Sequence, residues 1–130
     1  MDKNLCIIMS KYRGMNKEYL VLDPNKNKSQ LVGKKTELLC KRGLGIGANE
    51  ILFGPILKDG KMEVHMLDSQ EGEGVISQDG LRVFAKYLQD QKYVKEEKAM
   101  ISTENGDVEV EVPGDVEHIE DISLAENFLS

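Results

Sequence analysis

The chain has 130 residues, 40% of them hydrophobic and 31% charged, which is enough for one core but not two, and no apolar run reaches the length of a membrane span. Its net charge of −6 is unevenly spread: residues 99–130 hold nine of the 23 acidic residues and none of the 17 Lys and Arg. Nucleic acid is thereby excluded as a partner, because its backbone requires clustered cations. The stretch "NLCIIMS" is too short for a signal-peptide core and lacks a small-residue cleavage pattern, so the expected location is the cytoplasm, with no membrane partner.

In chain order, "LCIIM" and "EYLVLD" read as two strands, the second closed by Asp23-Pro24 and the polar run "NKNKS". Ser29 is an N-cap candidate, and Leu31, Leu38 and Leu39 suit one helical face that ends at Gly43, so a first helix is expected there. Asp59-Gly60, set between the apolar stretches "EILFGPILK" and "MEVHML", predicts a tight hairpin, and Asn105-Gly106 predicts another. In the second hairpin Val108, Val110 and Val112 alternate with Glu109 and Glu111, which places valines inward and accounts for part of the acidic bias.

Between the hairpins, Leu81, Phe84, Ala85 and Leu88 recur at helical spacing, predicting a helix from Asp79 to about Gln91 that lays one stripe on a sheet. The expected fold class is α+β with a mostly antiparallel sheet. The expected organisation is one domain over residues 1–112, followed by an acidic segment, 113–130, that is either a last strand or a tail.

Cys6 and Cys40 lack metal-ligand spacing and read as buried free thiols, and His65 and His118 stand alone. "KRGLGIGANE" carries glycines at 43, 45 and 47, but it matches neither the dinucleotide fingerprint nor the phosphate loop. No cofactor or metal site is expected.

Four segments, "KYRGMNKEYLVLD", "LCKRGLGIGANEIL", "MEVHMLDSQEGEGVISQDGLRVFAKYL" and "ISTENGDVEVEV", keep the order and spacing found in the N-terminal half of diaminopimelate epimerase. From about Lys11 to Val112 the chain resembles that family of cofactor-independent enzymes, which invert one α-carbon of diaminopimelate for lysine and cell-wall synthesis. The resemblance implies a barrel-like sheet curled around a central helix. It also implies an active site in a cleft between two such domains, each supplying one cysteine.

At the helix start, where the family keeps its first-domain cysteine, this chain has Ser77. Inverting an α-carbon without a cofactor takes a thiolate on one face and a thiol on the other, and a serine hydroxyl without an adjacent base does not replace either at neutral pH. The family's substrate-contacting positions correspond to Lys17, Glu50, Asp68, Gln78 and Asp79, with Gly80 retained. Gly14, Gly45, Gly47 and Arg82, which shape backbone and packing, are retained as well. Three acidic replacements would repel an α-carboxylate, and beside Lys17 they would neutralise one another or hold a cation or amine.

These readings together predict a single domain without catalysis of its own, binding a ligand or a protein. The expected partners are a second copy of the chain or a separate C-terminal half, and the expected ligand is a small amino-acid-like or cationic molecule. The competing expectation is an amino-acid epimerase or racemase completed by dimerisation or by that second half.

Overall fold

The computed structural model describes residues 6–27, 48–67 and 76–125. Seven strands form one sheet: β1 (Cys6–Gly14), β2 (Lys17–Leu22), β3 (Glu50–Lys58), β4 (Lys61–Leu67), β5 (Lys98–Thr103), β6 (Gly106–Glu111) and β7 (Glu117–Ala125). Their spatial order is β6-β5-β4-β3-β2-β1-β7. Four neighbouring pairs are antiparallel, while β2–β3 and β4–β5 are parallel, so the sheet is mixed and the α+β class holds. The expected first helix from Ser29 to Gly43 lies outside the described residues, as do Cys40, Gly45, Gly47 and Asp68.

The hairpins follow local chemistry. β3 and β4 turn at Asp59 and Gly60, with φ of 54° and 76°, the left-handed pair that a two-residue turn requires. β1 and β2 turn the same way at Met15 and Asn16, φ 53° and 63°, a turn that the sequence reading passed over. The third hairpin is displaced by one residue from expectation. Thr103 pairs with Gly106, so Glu104 and Asn105 make the loop, and Gly106, at φ 110°, takes the strained position after it.

The acidic segment supplies β7, an edge strand paired with β1 from Cys6↔Ala125 to Arg13↔Glu117. Ser10 donates to Asp121 Oδ1 at 3.0 Å, and His118 Nε2 lies 2.8 Å from the same oxygen, so part of that acidity is spent holding β7 on β1.

The helix α1 (Gln78–Asp90) packs on β1, β2, β3, β5 and β6. Val83 and Tyr87, off the predicted stripe, are buried together with Phe84, Ala85 and Leu88, whereas Leu81 is only half-buried. A helix touched by strands from most of the sheet buries more than one stripe, and a single-face pattern underestimates that. Tyr12, Tyr19, Val21, Leu52, Val64 and Ile101 complete this core. Leu20, Leu22 and Ile51 alternate to the other face of their strands and are equally buried.

At the C-terminal end of α1 a polar knot joins helix to sheet. Asp23 is 2% exposed, and its Oδ2 accepts from the Tyr87 hydroxyl at 2.6 Å and the Tyr93 hydroxyl at 2.7 Å. Its Oδ1 accepts from the backbone and side chain of Asn25 at 2.8 and 2.9 Å. Nearby, the Tyr12 hydroxyl donates to Asp90 Oδ2 at 2.6 Å. A buried carboxylate is tolerable when fully hydrogen-bonded, and Asp23 has four donors.

Candidate functional site

The N-terminal end of α1 is built from β2, the entry to β3 and the helix cap. Ser77 is the N-cap: its backbone is extended and its Oγ accepts from the Gly80 N–H at 2.9 Å. The same hydroxyl donates to Glu50, 3.1 Å from Oε1 and 3.4 Å from Oε2. Glu50 is the first residue of β3, set beside Tyr19 of β2 in parallel register. That entry is pinned by Asn49, whose N–H donates to the Glu18 carbonyl at 2.7 Å and whose Oδ1 accepts from the Glu18 N–H at 2.9 Å.

Gly80 permits the approach. A Cβ there would lie 3.1 Å from Ile76 Cγ1, 3.1 Å from Ser77 Oγ and 3.2 Å from Glu50 Oε1, closer than side-chain contacts normally come. Asp79 occupies the first helical turn, where the positive end of the helix dipole favours a carboxylate. Gln78 beside it is exposed. Arg82 turns away to Asp115 at 3.0 Å and ties the helix to the connection between β6 and β7.

Of the predicted site residues, the structure brings Ser77, Glu50 and Gly80 into contact, with Asp79 in the same turn. Lys17 opens β2 opposite Gly14 and is exposed, and it forms no ion pair with Glu50 or Asp79 among the described residues. Asp68 lies outside the described residues. Among those described, no three His, Cys, Asp or Glu side chains converge as metal ligands, and no helix is long and apolar enough to cross a membrane.

Tyr19 is the residue that sequence reasoning missed. It is 0% exposed, yet its hydroxyl has no hydrogen-bond partner. Burial first, then the nearby Glu50 and Asp79 charges, push its pKa up to about 12. The signal was the place of Tyr19 in the strand "EYLVLD", but only the parallel β2–β3 register puts it beside Glu50. The resulting group is a hydroxyl tied to a carboxylate at a helix N-terminus, next to a second carboxylate and a buried unpaired phenol. Such a group attracts protons and cations and opposes an incoming anion.

The sequence pattern of the family described as "Diaminopimelate epimerase" matches residues 9–123. Among curated relatives, "Diaminopimelate epimerase 2" of Nostoc sp. is 34% identical over 100 residues, covering 76% of this chain and 35% of that protein. The diaminopimelate epimerase of Methanothermobacter thermautotrophicus is 28% identical over 112 residues, covering 82% of this chain and 39% of that protein. The chain therefore spans little more than a third of these relatives.

Solved structures share the fold at low identity. The Bacillus anthracis "phenazine biosynthesis protein, PhzF family" superposes with a TM-score of 0.62 at 13% identity, covering 82% of this chain and 36% of that one. The Enterococcus faecalis protein of the same family gives 0.64 at 11% identity, covering 85% and 42%.

Proposed function

Because the chain belongs to the diaminopimelate epimerase family but carries a hydroxyl–carboxylate pair at the helix N-terminus, we propose that this domain performs no thiol-based α-proton exchange by itself and serves as a cytoplasmic binding module. One observation carries the reading: the Ser77 hydroxyl is already committed, accepting from Gly80 N–H and donating to Glu50. A hydroxyl whose proton rests on a carboxylate and whose lone pair caps a helix is neither a free acid nor a thiolate.

The ligand class follows from charge. Glu50 and Asp79 act on the same buried Tyr19 hydroxyl, so the pocket favours a small amine or another compact cation over an amino acid presented by its carboxylate. A barrel-like wrapping of the sheet around α1 belongs to this proposal and is supported by helix contacts running from β6 to β1. A second copy of the chain or a separate C-terminal half would cover the helix N-terminus from the far side.

The test is α-proton exchange of diaminopimelate in deuterium oxide, followed by nuclear magnetic resonance, for the unmodified chain and for Ser77→Cys. The expected result is no exchange in the unmodified chain. Exchange there would overturn the reading. The second reading, an epimerase completed by another half, is favoured by the family's printed activity together with the 35–39% of the relatives' length that the chain covers. It requires exchange to appear on mixing with a C-terminal half or on self-association, so a strict monomer by light scattering that is inert with such a half would refute it.

A further inference from the structure

β4 and β5 meet at one register pair only, Glu63↔Ser102. The first turn of α1 and the tip of the β5–β6 hairpin close over the gap this leaves, and between them lies a pocket of about 180 Å³. Val64, Ile76, Leu81 and Val108 make its walls apolar, and His65 lines it from β4. The His65 Nδ1 is buried and has no hydrogen-bond partner. Glu104 stands 3.8 Å from that nitrogen and Glu63 3.7 Å from Nε2, both beyond hydrogen-bond range. This pocket is distinct from the Ser77–Glu50 pair: Gln78 lines it, whereas the adjacent Ser77 bonds Glu50.

We infer that this pocket binds a small uncharged molecule with an apolar body and one hydroxyl, the hydroxyl completing the hydrogen bonding of His65. Three features set the class. Size admits a single substituted ring, since a cavity of roughly 150 Å³ lined by aliphatic side chains accepts benzene. The apolar walls stabilise the ring, and an imidazole nitrogen left unpaired in a buried place gains a partner. Glu63 and Glu104, flanking the imidazole, reject an anion. The inference does not depend on the function proposed for the helix N-terminus.

The test uses phenol, toluene and benzoate as probes, titrated into the isotope-labelled full chain while amide and imidazole resonances are followed. Phenol is expected to give saturable shifts confined to His65, Thr103–Asn105 and Leu81, and to bind about fivefold more tightly than toluene, the worth of one hydrogen bond. Benzoate is expected to give none. His65→Leu should bring phenol and toluene to equal affinity, and Val108→Phe, which fills the pocket, should abolish both. If either variant fails to fold, the phenol-to-toluene ratio in the unmodified chain decides. The inference is overturned by the absence of saturable phenol shifts at these residues, by equal binding of phenol and toluene to the unmodified chain, or by phenol binding that survives Val108→Phe.

Discussion

Raising the pH should unfold this domain abruptly, because all four tyrosines of the chain hold their protons through the folded structure. Burial is the largest cause at Tyr12, Tyr19, Tyr87 and Tyr93, followed by the Asp90 hydrogen bond at Tyr12 and the Asp23 hydrogen bond at Tyr87 and Tyr93. Tyr19 is pushed to about 12 and the other three above it. In the unfolded chain each phenol titrates near pH 10. Folded values above the unfolded one mean that the stabilisation is complete below about pH 10 and is lost as pH rises, since the unfolded state then binds fewer protons.

By about pH 11 each of the three fully buried phenols, Tyr12, Tyr19 and Tyr87, has withdrawn about 1.4 kcal/mol, so together they remove roughly 4 kcal/mol, with Tyr93 adding to it. That is a large part of the 5–15 kcal/mol, roughly, that stabilises a typical domain. The chain contains no tryptophan, so the tyrosinate absorption band can be read without interference and compared with far-ultraviolet circular dichroism. The two signals should rise and collapse together, steeply, above about pH 10. A gradual tyrosinate titration near that pH with the dichroism intact would refute the reasoning.

Three further predictions concern single contacts. Asp23→Ala strands the Tyr87 and Tyr93 hydroxyls and should cost about 2–4 kcal/mol in urea unfolding, with the alkaline transition moved to lower pH. Ser77→Ala removes the helix cap and should cost about 1 kcal/mol by the same measurement. In Gly14→Ala the new Cβ would meet Val116 Cγ2 at 2.7 Å, so a loss of about 1–3 kcal/mol is expected, and pairing it with Val116→Ala should cost less than the sum of the two single changes.

Much of the fold was legible because its signals are local. Asp59-Gly60 can adopt the left-handed backbone of a hairpin whatever surrounds it, and Leu81, Phe84, Ala85 and Leu88 mark a helix by spacing alone. The Met15–Asn16 turn escaped because methionine carries no turn signal and the strand before it continues through the polar run Ser10–Gly14. Ser77 and Glu50 were recognised as separate family positions 27 residues apart, and the Ser77 hydroxyl bonding both Glu50 and Gly80 was not legible in either stretch.

By itself the sequence determined the class of elements, the acidic C-terminal quarter and the loss of a thiol at the helix start, since composition, periodicity and residue identity are properties of the chain. Only the tertiary structure decided that the acidic segment closes the sheet as β7, that Tyr19 lies unpaired beside Glu50, and that His65 lines a pocket where β4 and β5 part. Those facts depend on which strands become neighbours and in what register. Non-local pairing is settled by the joint burial of residues far apart in the chain, and no window of sequence contains it.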